Sequence, residues 1–169
     1  MVGIRLELLS ESHLEGLAAL VQDADVQRFT RIASPPPPDF ARSWLDAYDT
    51  GRKTASKEAF AVIDADGEFA GVAVAPKIDT NARTAELGYT VLPAARGRGV
   101  ASEALRLLTA WAFDELDLIR LELLISVENG ASKRVASRCG YVREGVLRSL
   151  YVKPGVREDT EVWSRLATD

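Results

Sequence analysis

The chain has 169 residues, 47% hydrophobic and 27% charged, enough apolar content for one core and for a single domain over residues 1–169. Its formal charge of −4 argues against a general nucleic-acid binder, and one cysteine with one histidine excludes an internal disulfide and disfavours a zinc site. Charges break every apolar run of the opening MVGIRLELLSESH, so no signal peptide or membrane span is expected and the chain reads as cytoplasmic.

Ile4, Leu6 and Leu8 alternate with Arg5 and Glu7, which predicts a first strand. Ser12 with Glu15 reads as a capping box, opening a helix with Leu14, Leu17, Ala18 and Val21 on one side. Val26 and Phe29 continue an apolar face toward Ile32, and Pro35 to Pro38 then form a stiff break. Asp39 can cap a second helix, whose Phe40, Trp44 and Tyr48 lie four apart and read as core. Glu58 to Ile63 and Glu68 to Ala75 are strands joined by Asp64-Ala65-Asp66-Gly67, a hairpin signal. Lys77 to Arg83 is expected to be a polar loop.

The next stretch organises the rest. Thr84 to Leu92 is a strand stopped by Pro93, and Val100 to Phe113 is an amphipathic helix with Val100, Ala104, Leu107, Leu108 and Trp111 on one face. Between them lies Arg96-Gly97-Arg98-Gly99-Val100-Ala101. Two glycines permit a tight turn and leave the helix entrance bare. The first helical N–H groups have no partner within the helix, and the helix dipole adds positive potential there. Such an end suits a phosphate or diphosphate, with Arg96 and Arg98 adding charge. The loop lacks a Walker lysine and a Rossmann fingerprint. A plain turn with solvated arginines is its other reading.

Ile119 to Val127 is a fifth strand, and Ser132 to Arg138 a short helix closed by Gly140. Tyr141 to Val152 and Arg157 to Leu166 are the last strands, turned at Lys153-Pro154-Gly155. The order β-α-α-β-β-β-α-β-α-β-β predicts an α/β domain with a mixed sheet.

Ala85-Glu86-Leu87-Gly88-Tyr89, Arg96 to Ala101, Asn129 with Ser132, Cys139-Gly140-Tyr141 and Glu144 to Arg148 together resemble the GNAT superfamily of acyl-CoA-dependent N-acyltransferases. The match is closest to the branch that acetylates ribosomal-protein N-termini. The resemblance implies a GNAT-like fold: a mixed, mostly antiparallel sheet of six to seven strands, splayed between strands four and five after Tyr89, with helices on both faces. It implies acetyl-CoA as co-substrate, with Gly97, Gly99, Val100 and Ala101 holding the diphosphate beside Arg96 and Arg98. Backbone groups near Tyr89 and Val91 would pair with the pantetheine amides. The implied partner is an amine-bearing acceptor, a protein N-terminus or a small molecule, with no nucleic acid or membrane involved and a homodimer left open. The proline-rich break is either a connector or a loop facing the acceptor.

Asn129 reads as a helix cap, and the resemblance adds a pantetheine contact. Ser132 reads as a second cap or, by resemblance, as a group reaching the leaving thiolate. Many members of the superfamily carry a tyrosine acid where this chain has Ala136. Tyr141 reads as core. A thiol pKa near 8.5 makes the thiolate a tolerable leaving group without that acid. Glu86 is the candidate base, with a solvated or salt-bridged carboxylate as its other reading. Glu144 reads as shaping its strand, His13 as a solvated surface residue, and Cys139 as packed. With no assured strong base, an α-amine is the easier acceptor: near pH 7.4 it costs under ~1 kcal/mol to deprotonate, against about 4 kcal/mol for lysine. Two other classes stand beside an N-acetyltransferase: a non-catalytic acyl-CoA-binding module and a nucleotide-type phosphate binder.

Overall fold

The computed structural model describes residues 3–153 and 155–169. Its strands are β1 (Arg5–Leu8), β2 (Glu58–Ile63), β3 (Phe69–Asp79), β4 (Thr84–Val91), β5 (Arg120–Ser126), β6 (Val142–Lys153) and β7 (Val156–Leu166). They form one sheet in the order β1-β2-β3-β4-β5-β7-β6, antiparallel throughout except for the parallel pair β4–β5. That pair needs a crossover, which helix α4 (Val100–Asp114) supplies. The expected mixed, mostly antiparallel sheet is therefore present, with seven strands.

Alternation along the strands divides the core in two. Phe60, Val62, Ala73 and Leu121 face α4, whose Leu105 and Leu108 are fully buried against them. Ala59, Ala61, Ile63 and Val72 face the other way, against α1 (Leu14–Leu20), α2 (Ala24–Phe29) and α3 (Phe40–Lys53). Helix α5 (Gly130–Arg138) joins the α4 side through Ala136. Helices thus cover both faces, as the resemblance implied. Among the described residues no helix is long and apolar enough to cross a membrane.

Several expectations need correction. Three helices, not two, separate β1 from β2, because Asp23 accepts a hydrogen bond from the Val26 amide at 3.0 Å and starts α2 afresh. The first helical segment opens at Ser10, not Ser12: the Ser10 amide donates to His13 Nδ1 at 3.1 Å. His13 is consequently buried, with Phe69 beside its ring, rather than solvated. The predicted loop from Lys77 begins as strand, since Lys77, Ile78 and Asp79 pair with Glu86, Ala85 and Thr84 across a bulge after Val74. Helix α5 begins at Gly130, two residues before Ser132. Pro154, in the predicted turn of the last hairpin, lies outside the described residues.

Candidate functional site

Strands β4 and β5 pair at only three positions, Thr84 with Arg120, Ala85 with Leu121 and Glu86 with Glu122. Beyond Glu86 they diverge, three residues earlier than the Tyr89 expected. Past Glu86, β4 remains held by β3 through Val91, while β5 is held by β7 through Ser126. The β5-facing edge of β4 from Leu87 to Val91 is left without a strand partner. Unpaired backbone donors and acceptors of this kind need partners, and an extended amide-bearing chain can supply them.

The gap opens into a cavity of about 670 Å³ that runs from Arg96, Gly97 and Ala101 past Tyr89, Val91, Asn129 and Ser132 to Glu86. At its α4 end, Gly97 and Gly99 have φ of 73° and 85°, a left-handed backbone that glycine adopts without steric cost. A Cβ on Gly97 would meet no atom within 4 Å. Gly99 caps α4, and the first bond into the helix is Glu103 N–H to the Gly99 carbonyl. The amides of Val100, Ala101 and Ser102 therefore have no acceptor within the helix. Val100 is itself buried and Ala101 lines the cavity.

The two arginines differ. Arg96 pairs with Asp23 and, at 3.0 Å, with Asp25, so its charge is committed to α2. Burial acts to raise the Asp23 carboxyl, but the Arg96 guanidinium and the Val26 amide hold it below its ordinary value. Arg98 is exposed and forms no ion pair among the described residues.

On the far wall, the Asn129 side chain accepts from the Ser132 amide at 3.1 Å, which is the capping role, while both residues also line the cavity. The Tyr89 hydroxyl donates to the Ser132 carbonyl at 3.2 Å and bridges the divergence from β4 to α5. Burial keeps it a neutral phenol, with the pKa raised despite the opposing effect of that hydrogen bond. Ala136 is fully buried and brings no acid here. The Cys139 thiol is buried, donates to the Ser102 carbonyl and is pushed up by burial, so it is packed as expected. Tyr141 is likewise core, its hydroxyl 2.8 Å from Thr109 Oγ1.

Glu86 stands where β4 and β5 part, half-buried and without a hydrogen bond among the described residues. Burial raises its pKa; Arg31 and Lys77 act against this and Glu122 adds to it. A carboxyl shifted upward while accessible to a cavity is suited to accept a proton. Glu144 is different: Arg120 and Ser164 hold it down to about 2. It contacts Arg120 at 2.8 and 2.6 Å at the bulge between Arg143 and Gly145, a structural role.

Some of the wall was not legible beforehand. Tyr48 belongs to the aromatic stripe that reads as core, yet it also lines the cavity, where burial and then the Glu86 charge keep its phenol neutral. Phe29, Arg31, Ile32, Leu150 and Tyr151 complete this end, and Pro35 to Pro38 are not part of its lining. The signal for Ile32 was the apolar spacing from Val26; Arg31 and Tyr151 carried none.

Comparison with known proteins adds the following. A family profile described as "Acetyltransferase (GNAT) domain" matches residues 4–142. An 82-residue stretch is 35% identical to the Bacillus subtilis (strain 168) "Uncharacterized N-acetyltransferase YoaA", covering 48% of this chain and 46% of that protein. A 102-residue stretch is 31% identical to spermidine N(1)-acetyltransferase of Escherichia coli (strain K12), covering 60% of this chain and 54% of that protein. The matched stretch spans about half the length of these curated relatives. Among solved structures, RimL, a ribosomal L7/L12 alpha-N-protein acetyltransferase in complex with coenzyme A, superposes with a TM-score of 0.89 at 22% identity, over 96% of this chain and 93% of that one.

Proposed function

The chain belongs to the GNAT acetyltransferase family, and from that premise we propose that it transfers the acetyl group of acetyl-CoA to a primary amine, a protein N-terminal α-amine or a small-molecule amine, by direct attack within a ternary complex. The observation that carries this is the continuity of the cavity: glycine-bared amides of α4 at one end, an unpaired edge of β4 along the middle, and a raised carboxyl at the other end. The residues fit the co-substrate at each point. Gly97 to Ala101 would hold the diphosphate with backbone N–H groups, and Arg98 is the available charge beside them. The β4 edge near Tyr89 and Val91 would pair with the pantetheine amides, with Asn129 at the facing wall. An N–H of that edge would donate to the carbonyl oxygen that gains charge during attack.

Glu86 is the proton acceptor in this scheme. The amine nitrogen bonds to the acetyl carbon, the carbon–sulfur bond breaks, and the nitrogen's proton passes to the carboxylate directly or through water. Ser132, on the cavity wall, would face the departing sulfur, and Ala136 offers no acid, so the thiolate would leave unaided or with that hydroxyl. Relatives named as acetyltransferases of ribosomal protein and of spermidine support the reaction class and an amine acceptor. The non-catalytic module finds no support among them.

The test has two parts. Thermal shift with acetyl-CoA, free CoA and ATP separates a CoA site from a nucleotide site, because stabilisation follows affinity. Thiol release with a panel of N-terminal peptides and polyamines then reads turnover. Stabilisation by acetyl-CoA and CoA but not ATP, with amine-dependent thiol release, is expected. Binding without release for any amine refutes the transferase assignment.

A further inference from the structure

The acceptor end of the cavity carries a cation that the proposed reaction does not use. Arg31 lines the same cavity as Glu86. Its mount is fixed. The Tyr151 hydroxyl lies 3.0 Å from the Arg28 carbonyl and 2.6 Å from the Thr30 carbonyl, and Lys153 donates to the Gln27 carbonyl. Thr30 Oγ1 also donates to the Val26 carbonyl. The hairpin of β6 and β7 thus fastens the backbone on either side of Arg28 and directly before Arg31. Such anchoring reduces the ordering that a bound group would otherwise require.

The surrounding charges are unevenly engaged. Asp23 and Asp25 are taken by Arg96 at the opposite end. Glu122 and Glu144 are taken by Arg120. Lys77, paired across the strands with Glu86, is exposed and has no carboxylate at ion-pairing distance among the described residues, and the same holds for Arg31. Around the reacting position Glu86 is left flanked by two uncommitted cations, while Glu158, beyond Tyr151, accepts from the Ser126 hydroxyl at 2.6 Å. An amine with further positive charges would find Glu86 and then meet both cations. An amine carrying its own carboxylate finds a partner for each charge.

We propose that Arg31 is the specificity residue of the acceptor site and selects a primary amine that bears a carboxylate a few bonds away, in preference to a polycation. This rests on the acetyl-transfer assignment above. The shared chemistry is an amine beside a carboxylate, and it can come from a free acidic amino acid or from a peptide whose residues next to the N-terminus are acidic.

The test measures kcat/KM with acetyl-CoA for aspartate and glutamate, for a peptide amide beginning Ala-Glu and its Ala-Gln counterpart, and for spermidine. The expected result is roughly a three- to tenfold preference for the acidic member of the peptide pair, with the free acids also used. Spermidine should be slower than either. Arg31→Gln should bring the acidic-to-neutral peptide ratio to about one, and Arg31→Glu should turn the preference toward spermidine. Equal use of acidic and neutral acceptors, faster use of spermidine by the native protein, or equal loss for both peptides in Arg31→Gln each overturns the proposal with acetyl transfer intact. Failure of every amine with native protein removes the transferase assignment itself, and this proposal with it.

Discussion

Replacing Glu86 with glutamine keeps the volume and removes the charge, and it should move activity and stability in opposite directions. A positioned general base contributes about 10²–10⁴-fold. The lower end applies here, because an α-amine with pKa about 7.7–8.0 costs under ~1 kcal/mol to deprotonate near pH 7.4 and is partly neutral already. We expect kcat to fall about 10²-fold at pH 7, with the deficit narrowing toward pH 9 as solvent supplies the neutral amine. A lysine-type amine, costing about 4 kcal/mol, would keep most of the deficit over that range. The stability sign follows from the raised pKa. Burial favours the protonated carboxyl in the fold, more than Arg31 and Lys77 oppose it. That contribution is fully present below the unfolded pKa of about 4.3 and is lost as pH climbs through the raised folded value. At pH 7 the ionised group is a net cost, so Glu86→Gln should melt higher than native protein at pH 7 and show no such gain at pH 4. Thiol-release kinetics from pH 6.5 to 9 and melting at both pH values make the measurement. A native rate in the variant, or a deficit with an α-amine that stays constant from pH 7 to 9, refutes Glu86 as the base.

Gly99→Val forces a β-branched residue to φ of 85°, at a cost of about 1–2 kcal/mol, and places a side chain at the entrance of α4; acetyl-CoA should no longer raise its melting temperature, and an undiminished shift would take the loop out of the site. Leu105→Ala, at a position with no exposed surface, should lose about 2–5 kcal/mol in urea unfolding, and a loss below about 1 kcal/mol would mean α4 is not the main prop of its core. Glu144 is held down to about 2 by Arg120 and Ser164, so the stability it contributes is present above the ordinary carboxylate range and is lost as pH falls toward 2. Its side chain is 42% exposed, so solvent screening keeps the effect small; Glu144→Gln should flatten the acid limb of the stability profile slightly, and an unchanged limb would show that the pair contributes nothing.

Local patterns carried much of the architecture. The glycine–arginine loop before α4, the apolar β-type runs of β2 and β3, and the Asp-Gly turn between them depend on neighbours within a few residues, so their geometry is legible locally. The burial of His13 has no local signature, because it depends on Phe69, far along the chain, and on a cap set by Ser10 rather than Ser12. Arg96 was legible as a cation beside the loop, but not as the partner of Asp23 and Asp25, some seventy residues earlier.

Where α4 begins, and that its first amides have no acceptor within the helix, follow from local chemistry, because two glycines and the helix's own hydrogen-bond spacing require nothing from elsewhere. The separation of β4 and β5 after Glu86, the pairing of Arg96 and the fastening of the backbone just before Arg31 by the hairpin of β6 and β7 come from contacts between distant segments. Those outcomes turn on which unpaired groups meet across distant segments, and contact between segments so far apart is settled by packing of the whole sheet and its two helical layers.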